Sequence, residues 1–85
     1  MTLEKICEWC LSKTYEKARH DFTDRGNFQI HKVKFEDGDT YEHEEEYINN
    51  NIKRVRVSIN GREEYDGLYE YENFGWKEVT ALVTI

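Results

Sequence analysis

The segment that decides the fold is IKRVRVSINGREEYDGLYEYE, residues 52–72, in which apolar and charged side chains alternate. This period of two is typical of strands with one buried and one solvated face. Asn60-Gly61, at its centre, is a pair favoured in tight hairpin turns. A strict two-residue turn would set Val57 against Glu64, whereas a one-residue shift at a bulge sets Val57 against Tyr65. The shifted register keeps each face chemically uniform, so it is the one predicted.

The preceding segment, QIHKVKFEDGDTYEHEEEYI at residues 29–48, reads as a second hairpin around Asp37-Gly38. Here too a shifted register is predicted, with Phe35 opposite Tyr41 and lysines opposite glutamates across the strands. A run of asparagines at residues 49–51 makes the turn between the two hairpins. The good helix formers in residues 42–50 leave a short second helix as an alternative to the strand.

The segment after residue 72 predicts a turn and a final strand. NFGW, residues 73–76, reads as the turn, with Phe74 and Trp76 closing the end of the core. Residues 76–85 alternate two sets of side chains and form the most apolar strand of the chain. That composition predicts a place inside the sheet order rather than at an edge.

The N-terminal segment has the pattern of an amphipathic helix. Thr2 is a candidate cap and Glu4 lies in the first turn, where an acid is favoured. A helix from Leu3 to about Asp24 is predicted, and Gly26 is its stop signal. Its apolar stripe consists of Leu3, Cys7, Cys10, Leu11, Thr14, Ala18 and Phe22, with Ile6 at the edge.

Together these elements predict one α+β domain over residues 1–85: an N-terminal helix packed on a twisted antiparallel meander of about five strands. Such a small core leaves little room for an enclosed substrate pocket, and no catalytic motif stands out. The chain is therefore expected not to be an enzyme. It has no leader-like or membrane-spanning pattern, so a cytoplasmic location with reduced cysteines is expected.

Charge is distributed in blocks along the chain. Residues 36–51 contain seven acids and no base, residues 52–62 contain four bases and no acid, and residues 63–78 contain six acids and one base. The net charge is −6. An acidic chain is repelled by nucleic acid, so direct nucleic-acid binding is not expected, whereas a basic protein surface is a suitable partner.

The acidic side chains of two predicted strands form the candidate partner-binding surface. Its carboxylates are Glu42, Glu44, Glu45, Glu46, Asp66, Glu70 and Glu72. Rows of carboxylates at strand spacing can stand in for phosphates or complement a basic groove. Trp9 joins the candidate set, because the predicted helix places it opposite the apolar stripe and Trp is a favoured interface anchor.

Two clusters could hold a metal, and both are weaker predictions than their structural alternatives. Cys7 and Cys10 have the spacing of a redox or zinc pair, but they fall on the predicted buried stripe. His31, His43 and Glu45 become neighbours on one face of the predicted sheet, where partly buried histidines are the simpler expectation. No cofactor is therefore predicted.

The function expected from these features is non-enzymatic protein binding. The closest class by size and composition is the small acidic phage or mobile-element inhibitor, of DNA-mimic or anti-CRISPR type. Such a protein would occupy the basic, nucleic-acid-binding surface of a host protein. The alternatives are a structural module that forms a homodimer by strand addition and a small metal-binding protein.

Overall fold

A computed structural model describes residues 1–84, with the side chains of residues 1–79. One helix precedes a six-stranded antiparallel sheet in which the strand order follows the chain. The elements are α1 (Leu3–Leu11), β1 (Arg19–Asp24), β2 (Phe28–Lys34), β3 (Thr40–Asn49), β4 (Ile52–Ile59), β5 (Arg62–Glu72) and β6 (Gly75–Thr84). The predicted α+β meander is confirmed, with six strands instead of about five.

The helix is shorter than predicted, because the second half of the predicted stripe belongs to a strand. Thr2 caps α1 by accepting a hydrogen bond from the Lys5 backbone N–H, and the helix ends at Leu11. Residues 19–24 pair with β2 as an edge strand. Gly26, predicted to stop the helix, instead occupies the β1–β2 turn with φ +81°.

The buried side of α1 also differs from the predicted stripe. Ile6 is buried, and Trp9 and Cys10 pack beside it, whereas Cys7 is exposed and Leu11 is 85% exposed. Trp9 lies between helix and sheet, stacked on Tyr41 with centroids 6.4 Å apart. The prediction that Trp9 lies on the exposed side of the helix is therefore wrong. The apolar stripe used for that prediction included residues after Leu11, which are not helical.

The core lies between α1 and the middle strands. Its buried members are Ile6, Val55, Val57, Ile59 and Tyr65, and Val33 and Phe35 are buried near the β2–β3 turn. We call the side of the sheet that α1 covers, with Val55 and Val57, the helix face. The opposite side, with Arg54 and Arg56, is the open face. Between the bulges, successive residues of each strand alternate between these two faces.

The predicted register of the β4–β5 hairpin is confirmed. Val57 pairs with Tyr65, and the register shifts at the next residue of β4, so that Glu64 is the extra residue of a bulge. The turn itself has two residues, Asn60 and Gly61, both with positive φ. Glu64 was predicted to face solvent, but the bulge buries it, and it accepts a hydrogen bond from the Met1 amino group.

The predicted register of the β2–β3 hairpin is wrong by two residues. Val33 pairs with Tyr41, because Phe35 bonds through its N–H to the Asp39 carbonyl and leaves a three-residue loop. Gly38 closes that loop with φ +96° and a hydrogen bond to the Phe35 carbonyl. Since a shift of two keeps every side chain on its face, the predicted faces are still correct.

The strand β3 is a strand throughout, so the alternative of a short helix over residues 42–50 is wrong. Strand β6 pairs only with β5 in the described sheet and lies at its edge, not inside the strand order as predicted. The predicted alternation along residues 80–85 lies outside the described side chains. The turns β1–β2, β3–β4 and β5–β6 lie at one end of the sheet, which we call the free end.

Candidate interaction surface

The open face gathers most of the predicted acidic side chains. Strand pairing places Glu42, Glu44, Glu46, Asp66, Glu70 and Glu72 on this one side of the sheet. The acids of β3 and β5 are separated by β4, which presents Arg54 and Arg56 between them. The open face is therefore striped acid, base, acid, and not uniformly negative.

Two of the predicted carboxylates are held by the arginines of β4. Asp66 is 3% exposed and accepts two hydrogen bonds from Arg54, at 2.8 and 2.5 Å. The guanidinium of Arg54 lowers the pKa of Asp66 below its usual range. Arg56 pairs with Glu44 across β3 and β4 at 2.9 Å. Asp66 and Glu44 are thus parts of the fold, with their charge already balanced.

One predicted carboxylate lies on the opposite side of the sheet. Glu45 is on the helix face, where its Oε1 atom is 2.8 Å from the Nζ of Lys53. Lys53 lies 4.4 Å from the ring centroid of Trp76 and 5.8 Å from that of Tyr47, a cation–π arrangement. Glu45 therefore stabilises an internal cluster and does not extend the acidic surface.

The remaining predicted carboxylates have no ion-pair partner within the described part of the chain. They are Glu42, Glu46, Glu70 and Glu72. The last three lie toward the free end, where Glu46 is near the end of β3 and the other two end β5. Carboxylates two residues apart on a strand stand about 7 Å apart. Glu70 and Glu72 therefore form a short negative row at the free end, with Lys77 directly across from Glu70 on β6.

Exposed apolar side chains lie beside these charges. Ile48, Tyr71 and Phe74 are exposed at the free end, and Phe74 is 96% exposed, so it does not close the core as predicted. Trp76 is partly buried and contacts Tyr71 edge-on at 5.4 Å. The sequence did not reveal this exposure, because Tyr71 alternates with the acids of its strand and Phe74 lies in a turn that was predicted to close the core.

A basic corner occupies the opposite part of the open face. Arg19, Lys32 and Lys34, together with the acids Asp21 and Glu42, line an open groove of about 520 Å³ that crosses β1 to β4. None of the three makes an ion pair within residues 1–79. The sequence could not reveal this corner, because the residues of β1 were assigned to the helix.

The three histidines form a row across β1, β2 and β3 on the helix face. His20 Nδ1 and His31 Nε2 are 3.2 Å apart, and His31 pairs directly with His43. His43 Nε2 is 3.8 Å from Glu45 Oε1. Across residues 1–79, no three His, Cys, Asp or Glu side chains are arranged to hold a metal ion. The close contact of His20 and His31 is that of a hydrogen-bonded imidazole pair.

His43 is expected to make stability depend on pH near neutrality. Burial lowers the pKa of His43, while Glu45 partly offsets that effect. The folded protein is therefore at its most stable with respect to His43 above the unfolded-state pKa of about 6.5, where the imidazole is neutral. That stability is lost as the pH falls through the lower folded-state pKa, because the buried imidazole must then take up a proton. Urea denaturation at pH 7.5 and at pH 5.5 measures how much the free energy of unfolding falls between the two pH values. This decrease should be smaller for His43→Gln than for the unsubstituted protein.

The matched control is His20→Gln, which removes an exposed histidine from the edge strand. It should retain the pH dependence assigned to His43. Equal pH dependence in the unsubstituted protein and in His43→Gln would contradict the assignment.

The two cysteines lie in different environments. Cys7 is exposed, whereas Cys10 is partly buried against the core, and burial raises the pKa of the Cys10 thiol. A raised thiol pKa lowers the fraction of reactive thiolate. The geometry therefore fits Cys10 to a packing role.

Within the described residues, no helix is both long and apolar enough to cross a membrane. Comparison of the chain with protein-family models, with curated proteins and with solved structures gave no match.

Proposed function

We propose that this protein is a non-enzymatic, cytoplasmic protein-binding module that docks through its free end onto a basic surface of a host protein. The observation that carries the proposal is that Glu46, Glu70 and Glu72 lie toward the same end of the sheet as the exposed Ile48 and Phe74. Protein interfaces commonly have a buried aromatic anchor at the centre and a polar rim around it.

The chemistry of the acids favours a partner that itself binds nucleic acid. Glu70 and Glu72 follow each other along one side of β5, and Glu46 stands two strands away, about 10 Å across the sheet. Fixed carboxylates in rows complement the lysines and arginines of a nucleic-acid groove. The proposed activity is inhibition by occupation of that groove, as in the phage or mobile-element inhibitors that mimic DNA.

Reversing two charges at the free end should remove partner binding. In Glu70→Lys/Glu72→Lys, attraction to a basic surface becomes repulsion, and we expect retention of a bacterial partner to fall at least about tenfold. The measurement is capture from a bacterial lysate at low salt, followed by elution with duplex DNA. A partner retained by the unsubstituted protein and displaced by DNA would belong to the proposed class.

The matched control is Glu8→Lys/Glu16→Lys, which changes net charge equally at two exposed positions outside the sheet. This control should retain the partner, because its substitutions are far from the free end along the fold. If both variants lose the partner equally, the effect depends on net charge alone and not on the free end. Retention by Glu70→Lys/Glu72→Lys, or a partner that DNA does not displace, would contradict the proposal.

A further inference from the structure

Two hairpin turns of this chain share a backbone conformation but differ in sequence. Asn60 and Gly61 have φ +55° and +78°, and Asn73 and Phe74 have φ +50° and +64°. Positive φ at both central residues is the mark of a type I′ turn, for which Asn-Gly is the preferred pair. The β4–β5 turn uses that pair, whereas the β5–β6 turn has phenylalanine at the second position.

Phenylalanine is an unfavourable residue at this position of the turn. A bulky side chain in the left-handed region brings its Cβ close to the following carbonyl, a strain that glycine lacks. Burial does not compensate for that strain, because Phe74 is 96% exposed and makes no aromatic contact among the described side chains. No contact among the side chains of residues 1–79 therefore accounts for an aromatic residue at the apex.

The base of the same hairpin is held rigidly by aromatic packing. Trp76 contacts Tyr71 at 5.4 Å and Tyr47 at 5.9 Å, and the Lys53 amino group lies over its ring. A fixed base holds the backbone of the apex in one conformation, which lowers the backbone entropy lost when a partner binds. Phe74 is thus an exposed aromatic side chain on a preorganised support.

We propose that Phe74 is the anchor of the partner interface and inserts into an apolar pocket on the partner protein. This proposal rests on the proposed function and adds to it the contact that provides most of the affinity. Glu70 and Glu72 lie on the strand that leads to the turn. Charge complementarity therefore requires lysines or arginines around the pocket on the partner. The same carboxylates disfavour the anionic surface of a membrane.

The test replaces Phe74 with the residue that its turn prefers. Phe74→Gly gives the β5–β6 turn the Asn-Gly pair already present in the β4–β5 turn. We expect the melting temperature to rise by about 4–8 °C, because the backbone strain is relieved, and partner retention to fall at least about tenfold. Opposite changes in stability and binding are what an anchor predicts and what a structural role does not.

The matched control is Phe22→Ala, at another exposed phenylalanine, which lies on the edge strand β1. It should leave partner retention unchanged, because it removes exposed apolar surface at the opposite edge of the sheet, four strands from β5. The photoreactive analogue p-benzoylphenylalanine at position 74 should cross-link to the DNA-displaceable partner, whereas the same analogue at position 22 should not. The cross-linked partner residues should be apolar and bordered by lysine or arginine.

Several results would overturn the anchor. They are equal retention by Phe74→Gly and the unsubstituted protein, cross-linking at position 22 equal to that at 74, and no cross-linking at 74. Flotation with phosphatidylcholine–phosphatidylglycerol vesicles that depends on Phe74 would also overturn it. If Glu70→Lys/Glu72→Lys abolishes retention while Phe74→Gly does not, the docking proposal stands and the anchor alone fails.

Discussion

Replacing Gly67 with alanine is expected to destabilise the protein by about 2–4 kcal/mol. A Cβ at Gly67 would overlap the hydroxyl of Tyr65 and stand 2.7 Å from its Cζ. Tyr65 is 1% exposed, and its hydroxyl is hydrogen-bonded to the Tyr69 hydroxyl and to Glu78, so the ring cannot move aside without losing these contacts. Urea denaturation monitored by tryptophan fluorescence measures the loss.

Gly75→Ala is the matched control, because a Cβ there would meet nothing within 4 Å and the glycine has no positive φ. Its stability should stay within about 0.5 kcal/mol of the unsubstituted protein. The double variant Tyr65→Phe/Gly67→Ala should lose less stability than the sum of the losses of the two single variants. The Tyr65 hydroxyl is the nearest clashing atom, and Tyr65→Phe removes it. Equal losses at Gly67 and Gly75 would refute a steric cause.

Replacing Asp66 with asparagine is expected to cost about 1.5–3 kcal/mol. The change removes the carboxylate that accepts both hydrogen bonds from Arg54, at a position 3% exposed. The loss is smaller than for a fully buried pair, because the Arg54 side chain is 37% exposed and water can solvate it. The variant should bind the proposed partner normally wherever it is folded, because Asp66 is not available at the surface.

The acid limb of the stability curve provides a second measurement. Because Arg54 lowers the folded-state pKa of Asp66, its stabilisation is present above the unfolded-state value of about 3.9 and is lost as the pH falls through the folded-state pKa. Asp66→Asn should lack this part of the acid dependence. Glu44→Gln is the control, since it breaks a more exposed pair and should cost less. An unchanged acid limb in Asp66→Asn would contradict the assignment.

The sequence was sufficient where two independent signals agreed. In the β4–β5 hairpin, Asn60-Gly61 located the turn, and the apolar match of Val57 with Tyr65 selected the register. In the β2–β3 hairpin the alternation fixed the faces, but several loop lengths preserve the same faces. Cross-strand charge pairs are worth only a few tenths of a kcal/mol to about 1 kcal/mol each, which is too little to select among those loops.

The helix was mispredicted because short amphipathic patterns have more than one solution. Residues 19–24 are exposed throughout and pair with β2 as an edge strand, and they continue the apolar stripe only if the helix is assumed to pass through Ser12. Once the helix is cut to nine residues, contact with Phe35 and Tyr41 turns Trp9 toward the sheet. Tertiary packing of one large aromatic side chain decided the orientation.

The candidate surface was predicted in part. All seven carboxylates were predicted to share one surface; six of them lie on the open face, and Glu45 lies on the helix face. The sequence could not show which acids are neutralised, because Arg54 reaches diagonally to Asp66 and leaves Arg56 to Glu44. Phe74 was missed for a different reason: composition does not distinguish an aromatic residue at a hairpin apex from one in the core.

The order of the strands has a kinetic consequence. Each strand hydrogen-bonds only to its neighbours along the chain, so the whole described sheet can form by successive closure of short loops. Topologies of low contact order fold fast for their size, because little entropy is lost before each contact forms. We therefore expect a newly synthesised chain to fold rapidly. Folding should begin in the Asn60-Gly61 hairpin, which contributes most of the buried core.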